Sequence, residues 1–282
     1  MSRARAEEPN LSARLARIAD AVSTLAASHG GTVCLADIGC DHALVPVFLL
    51  RRGDIAFAYA SDIREGPLRT AKENAARFGV EERMRFLLAD GLQGIGKAEA
   101  DICLIAGMGG ELVRTILETG DAAGKDIQAL VLSPHTKPET VREYLSHGAY
   151  RILDETMTEE DGKYYPVITA CMKQAGSGDD FCSGQDPFSG QDPFSAFEGL
   201  LTAGLGCTAE DAKNLCLLFG PVLLRRRDPV LKAFLDRRKK RLADIAQRIG
   251  AQTKATHDVT KQMRLTAYAL QWFAERETGE ST

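Results

Sequence analysis

Hydrophobic positions along this chain recur with two different periods. Near the start, Leu11, Leu15, Ile18, Val22 and Leu25 return at steps of four and three. That stripe predicts an amphipathic helix over 11–25, with Asn10 as its N-cap. Short apolar runs then alternate with helix-period stretches. Strands are expected at 32–38 (TVCLADI), 56–62 (AFAYASD), 84–89 (MRFLLA), 101–106 (DICLIA) and 128–133 (QALVLS). Helices are expected between them at 43–52, 65–79, 109–119 and 138–147. This alternation predicts βαβ units and a parallel, doubly wound α/β sheet.

The period changes at 150–172, where two strands flank a tight turn at Glu160-Asp161-Gly162-Lys163. Asp-Gly between strand-like runs is a hairpin signal, so the sheet should end in an antiparallel pair. By analogy, that favours the class I (Rossmann-like) methyltransferase arrangement over the all-parallel dehydrogenase one. Residues 174–196 are rich in Gly, Ser, Pro and Asp, and SGQDPF occurs twice without a gap, at 183–188 and 189–194. Such a stretch buries little surface and is expected to be a flexible linker.

Helical patterning follows. Thr208 with Asp211 resembles an acidic capping box. Leu231, Phe234, Leu235, Leu242, Ile245 and Ile249 mark one stripe. Gly250 to Asp258 interrupts it, and Val259, Met263, Thr266, Leu270 and Phe273 mark another. Two such helices predict an antiparallel, coiled-coil-like hairpin. The expected organisation is a catalytic domain at 1–173, a linker at 174–198 and a helical domain at 199–282.

Composition adds three constraints. No apolar stretch reaches the roughly 18 residues of a membrane span, and "MSRARAEEPN" lacks the apolar core of a signal peptide. The seven cysteines include no C-x-x-C pair, so neither a disulfide framework nor a metal site is expected. A reduced, cytoplasmic protein follows. The net charge is −4, yet residues 225–241 hold nine Lys/Arg against two Asp. That block is either a solvated helix face or a polyanion site. In the second case Arg225, Arg226, Arg227, Arg237, Arg238, Lys239, Lys240 and Arg241 are candidate RNA phosphate contacts.

Ligands in doubly wound sheets sit beyond the carboxyl ends of the strands. The first expected strand ends Asp37-Ile38-Gly39, but Cys40, Asp41 and His42 stand where a dinucleotide loop would place further glycines. Asp62 closes the second strand, near the 20-residue spacing at which an acid meets a ribose. Asp90 follows the third, and the fourth runs into Ala106-Gly107-Met108-Gly109-Gly110. A single glycine suits a cofactor without a pyrophosphate. S-adenosyl-L-methionine offers a ribose diol, an amine and a sulfonium, all of which acids can hold. This argues against a nicotinamide-linked oxidoreductase.

The segments "ADIGCDHALVPVFLL", "ASDIREGPLRTAKENAARFGV", "ADGLQGI", "IAGMGGELVRTILE" and "EEDGKYYPVITA" together resemble the TrmK family. Those enzymes use S-adenosylmethionine to methylate N1 of adenine 22 in bacterial tRNA. The likeness spans residues 11–173, and the helical hairpin suits the family's C-terminal domain. Ser133-Pro134-His135 departs from the Gln-Pro-Asn type of sequence expected after the fifth strand, and the duplicated linker looks like an insertion.

The resemblance implies that Asp37, Gly39, Asp62, Ile63, Asp90, Gly91, Ala106 and Gly107 hold the cofactor. It also implies that Met108, Gly109 and Gly110 border the target base, with tRNA as partner, no metal, and a monomeric enzyme. The GMGG turn carries no acceptor or aromatic side chain, which disfavours methylation of an exocyclic amine and suits a ring nitrogen such as N1. Asp41 and His42 are then candidate catalytic residues, Asp41 accepting from the adenine amine and His42 orienting it. The competing role for Asp41 is a cap on the following helix. A methyltransferase acting on another RNA position, and an idle RNA-binding adaptor that kept the fold, are the alternative functions.

Overall fold

The computed structural model describes residues 8–29, 32–173, 192–248 and 254–275. The chain divides into two compact units, Met1–Ser189 and Gly190–Thr282. The first unit contains α1 (Ala13–His29), β1 (Cys34–Ile38), α2 (Leu44–Arg52), β2 (Phe57–Asp62), α3 (Glu65–Arg77) and β3 (Met84–Leu88). It continues with β4 (Ile102–Ala106), α4 (Gly110–Thr119), β5 (Ala129–Ser133), α5 (Pro138–His147), β6 (Tyr150–Glu160) and β7 (Lys163–Met172). A one-turn 3₁₀ helix at Glu81–Arg83 precedes β3.

The seven strands form one sheet in the order β3-β2-β1-β4-β5-β7-β6. The pairs from β3 to β5 are parallel, and β7 runs antiparallel to both neighbours. The order reverses between β1 and β4, which is where such sheets open a crevice. Strands β4 and β5 are buried almost throughout, so their sequences read as unbroken apolar runs rather than alternations. Leu35, Ala58, Ile102, Leu104, Ala129 and Val131 on one face join a core with Ile18, Val22 and Leu25 of α1 and Val47 and Leu50 of α2. The hairpin turn has Asp161 at φ 51° and Gly162 at φ 70°, the left-handed pair that a two-residue turn of type I′ requires.

One local expectation changes. The start of α1 is capped by Ser12, whose Oγ accepts the Leu15 N–H at 3.4 Å and whose carbonyl accepts that of Ala16 at 2.8 Å. Asn10, three residues before the helix begins, does not cap it. Among the described residues, Cys34, Cys40, Cys103, Cys207 and Cys216 are free thiols.

An ion pair lies inside the unit. Arg142 of α5 donates through Nε to Glu155 Oε1 of β6 at 2.7 Å, with both side chains essentially inaccessible (1% and 0%). It ties α5 to β6 where both meet the core.

Among the described residues the second unit holds five helices, not a hairpin alone: α6 (Pro193–Leu205), α7 (Ala209–Phe219), α8 (Pro221–Arg226), α9 (Pro229–Arg248) and α10 (Lys254–Ala274). Helix α6 begins inside the expected linker. Asp192 of the second SGQDPF copy accepts the Ser195 N–H at 2.9 Å, with Pro193 in the first turn. An Asp cap followed by Pro is a strong helix start, and it overrides the Gly/Ser-rich composition around it. Residues 183–191 of the duplication lie outside the described residues, as does Ile249.

Thr208 caps α7 as expected, its Oγ1 accepting the Asp211 N–H at 3.1 Å. The Asp211 carboxylate pairs with Arg264 Nη2 at 2.8 Å. On α10 the buried face is Leu265, Thr266, Ala269 and Phe273, while Met263 is exposed. The expected stripe was therefore displaced around the helix. No helix among the described residues is long and apolar enough to cross a membrane.

Candidate active site

The carboxyl ends of β1 to β4, the loop after β5 and the first turns of α1 enclose a cavity of about 670 Å³ in the first unit. Asp37, Gly39, Asp62, Ile63, Asp90, Gly91, Ala106 and Gly107 all line it, as do Asp41, His42 and Met108. Gly109 and Gly110 do not. They sit behind it, where Gly109 bridges to Thr136 and Gly110 N donates to Thr136 O at 2.8 Å. A Cβ on Gly110 would run into the Lys137 carbonyl, so that glycine serves the contact between the β4 and β5 loops.

The first loop is fixed by backbone. The N–H groups of Gly39 and Cys40 both donate to Ser61 O, at 2.8 and 3.0 Å, so the end of β2 holds the turn after β1. Gly39 has φ 70°, and a Cβ there would strike the Met108 methyl, closing the place where a ligand approaches the backbone. Asp41 and Ala43 both adopt φ 49°, a left-handed conformation that costs a non-glycine residue about 1–2 kcal/mol. Asn74 Nδ2 of α3 donates to the His42 carbonyl at 2.9 Å.

Helix α2 takes Ala43 as its N-cap, with no side-chain cap bond. Asp41 is therefore not the cap. Its side chain is 65% exposed, with the His42 Nε2 3.6 Å from Asp41 Oδ2. Cys40 is buried, and burial next to Asp37 and Asp62 pushes its thiol far above the usual range, so it is an inert thiol.

The acids differ in environment. Asp37 is buried, and its carboxyl is pushed up to about 7, first by that burial and then by the charges of Asp62 and Asp41. Asp62 is buried too, but its Oδ1 accepts the Arg64 N–H at 2.9 Å and lies 3.5 Å from Arg64 Nε. Asp90 is exposed at the rim beside Gly91, whose φ of 56° makes the turn. Three acids on neighbouring strand ends, one close-approach glycine and no glycine-rich phosphate cradle form a donor set that fits a cofactor carrying a diol, an amine and a cationic sulfur.

Part of the cavity wall was not foreseen. Arg14, Leu15 and Ile18 of α1, Arg64, Leu112 and Ile116 of α4, and His135 line it too. Leu112 is 51% exposed, lying off the buried Val113–Ile116–Leu117 stripe of its helix. An apolar residue on the wrong side of an amphipathic pattern was the signal available for it.

The basic block belongs to the second unit. Two of its members turn inward. Arg227 Nε donates to Trp272 O at 2.9 Å, with its guanidinium 4.6 Å from the indole centroid. Arg238 donates to Thr266 Oγ1 at 3.3 Å and Gln262 Oε1 at 3.0 Å, joining α9 to α10. Arg225, Arg226, Arg237, Lys239, Lys240 and Arg241 are exposed.

A sheet reversing at β1/β4, an antiparallel β6–β7 end and acids at the β1 to β3 termini define a class I methyltransferase. The family model described as "Methyltransferase domain" matches residues 11–168. The chain is 37% identical over 172 residues to the Bacillus subtilis tRNA (adenine(22)-N(1))-methyltransferase, covering 61% of this chain and 68% of that protein. It belongs to that enzyme family.

The crystal structure of the Bacillus subtilis m1A22 tRNA methyltransferase TrmK aligns with a TM-score of 0.70 at 28% identity, over 93% of this chain and 100% of the other. A Streptococcus pneumoniae protein solved with S-adenosyl-L-methionine shares the fold at a TM-score of 0.70 and 24% identity, over 93% and 100% of the two chains.

Proposed function

We propose that this protein transfers a methyl group from S-adenosyl-L-methionine to N1 of adenine 22 in tRNA. The observation that carries the reading is the convergence of Asp37, Asp62 and Asp90 with Gly39 on one cavity, in a chain of this family. When bound, the cofactor supplies a methyl group activated on a sulfonium. Asp62 and Asp90 are assigned to the ribose diol and the adenine amine, Gly39 to close backbone approach, and Ile63, Ala106 and Gly107 to the walls.

Adenine N1 has a free lone pair, so attack at N1 releases no proton and needs no obligatory base. Rate then comes from orientation and from support of the cationic product. Asp41 is assigned to that support and to the adenine amine, with His42 orienting it. Met108 borders the base. The outward basic residues of the second unit are assigned to tRNA phosphates, so that unit is read as a docking domain following a linker. The enzyme is read as a cytoplasmic monomer.

The deciding experiment incubates the protein with methyl-labelled cofactor and tRNA transcripts and maps the modified base. Label at N1 of adenine 22 is expected; label at another position, or none, overturns the reading.

Asp37 gives a second test. An acid whose folded pKa is raised adds stability below its unfolded value near pH 4 and loses it as pH rises through about 7. A cation entering the cavity favours the carboxylate, so cofactor binding near pH 7 is expected to release a proton. Calorimetry in two buffers of different ionisation enthalpy reads this directly. S-adenosylhomocysteine, lacking the sulfonium, should release less, and Asp37→Asn should release none; equal release by all three would refute the assignment.

A further inference from the structure

Three residues far apart in sequence meet at the β5 side of the cavity. The Arg14 guanidinium donates to His135 Nε2 and lies 5.2 Å from the centroid of the Tyr165 ring. His135 packs edge-on against the same ring, with centroids 5.2 Å apart at 63°. The arrangement is braced from both ends. Arg14 N donates to Glu160 Oε2 at 2.8 Å, and His135 N donates to Met108 O at 2.8 Å.

A guanidinium only donates hydrogen bonds, so His135 must accept at Nε2 and be neutral. Its surroundings agree: burial first, then the charges of Arg14 and Lys163, hold the imidazole below its ordinary pKa. The Arg14 guanidinium is thus held by a ring face and a neutral nitrogen; its charge also acts on the Glu160 carboxylate, which is itself bonded to the Arg14 N–H, and its remaining donors can serve a ligand. Arginine carries large rotamer entropy, which two such partners remove before any ligand arrives. Exposed Lys163, at the start of β7, adds a second cation at the same end.

Position selects among anions. Asp62 ends β2, while His135 follows β5, three strands away in the sheet order, or roughly 14 Å at the usual strand spacing. The residues assigned to the cofactor stand at the β1–β4 crevice between them, which would leave the β5 side of the cavity to the incoming base. A nucleotide extruded from folded tRNA brings its flanking phosphates to the mouth of the pocket. Planar guanidinium matches phosphate in a bidentate way.

We propose that Arg14, preset by His135 and Tyr165, is an anchor on the catalytic unit itself for a phosphate flanking the target adenosine. This rests on the tRNA-methyltransferase reading above. Arg14 is a substrate-binding residue here and His135 a positioning residue, neither taking part in the methyl transfer.

The test uses the full chain and tRNA transcripts, measuring binding across a salt series, steady-state methylation and cofactor affinity. Arg14→Gln is expected to lower the slope of log affinity against log salt by about 1. It should raise the tRNA KM about 10-fold and leave cofactor affinity within twofold. Arg14→Lys should keep the slope but recover only part of the KM. His135→Ala keeps the charge and loosens it, so KM should rise with the slope unchanged.

Unchanged slope and KM in Arg14→Gln overturn the proposal. So does weakened cofactor binding with an unchanged slope, which would assign Arg14 to the cofactor carboxylate. If Arg14→Gln does not fold, Arg14→Lys and His135→Ala decide, and wild-type KM in both overturns it. Wild-type protein that methylates no tRNA defeats the parent reading instead, while the salt slopes still report on Arg14.

Discussion

Arg142→Met is expected to remove about 3–5 kcal/mol of folding stability from the catalytic unit. A domain of this kind has roughly 5–15 kcal/mol in total, so the variant should be close to unfolding. The reason is the partner left behind. Glu155 is fully inaccessible, and Arg142 Nε stands 2.7 Å from its Oε1; without that cation the carboxylate is stranded or must take up a proton. Replacing both residues, as Arg142→Met with Glu155→Leu, should return most of the loss, because a well-packed apolar pair is often as stable as a buried ion pair. Urea midpoints of the two variants check this. A single variant as stable as the wild type would show that the pair does not clamp α5 to β6. Activity should fall along with stability, since α5 follows directly on the loop that carries His135.

Asp62→Ala should weaken S-adenosylmethionine binding by about 100-fold or more. A carboxylate accepting from two ribose hydroxyls makes charge-assisted bonds of roughly 1.5–3 kcal/mol each. Asp62 is already buried and oriented by the Arg64 N–H at 2.9 Å, so little entropy is lost when a diol arrives. Asp62→Asn keeps an acceptor and should fall between the two. Calorimetric titration of the free protein measures the effect; affinity within threefold of wild type for Asp62→Ala would remove Asp62 from the ribose site.

Much of the first unit could be read from the chain because its signals are local. Each strand of the parallel sheet is a short apolar run ended by a turn residue, and the expected and observed spans of β1 to β5 differ by at most two residues at either end. The Asp161-Gly162 turn was legible for the same reason, since few residues accept positive φ twice in a row. Likewise Asp37, Asp62 and Asp90 stand at strand ends, where period alone places them beside one another.

What stayed hidden depends on contacts distant in sequence. Nothing near Arg14 says that His135 and Tyr165 will meet it, and nothing in the basic block separates the inward Arg227 and Arg238 from their exposed neighbours. Composition misled at 192–194, where one capping Asp and one Pro outweighed a stretch that otherwise reads as linker. On α10, the apolar period was genuine but Met263 lies outside the buried face, because the packing surface is completed by Thr266 and Ala269.

The left-handed pair at Asp41 and Ala43 has a consequence for how the enzyme fails. Together they hold roughly 2–4 kcal/mol of unfavourable conformation, and Ser61 and Asn74 are what keep the loop there. Those restraints come from β2 and α3, outside the loop. Warming that slackens the seating of α3 would let the loop relax while the sheet is still intact, so loss of turnover should begin before melting. The first casualty of heat is then expected to be the shape of one turn, with the fold outlasting its own chemistry.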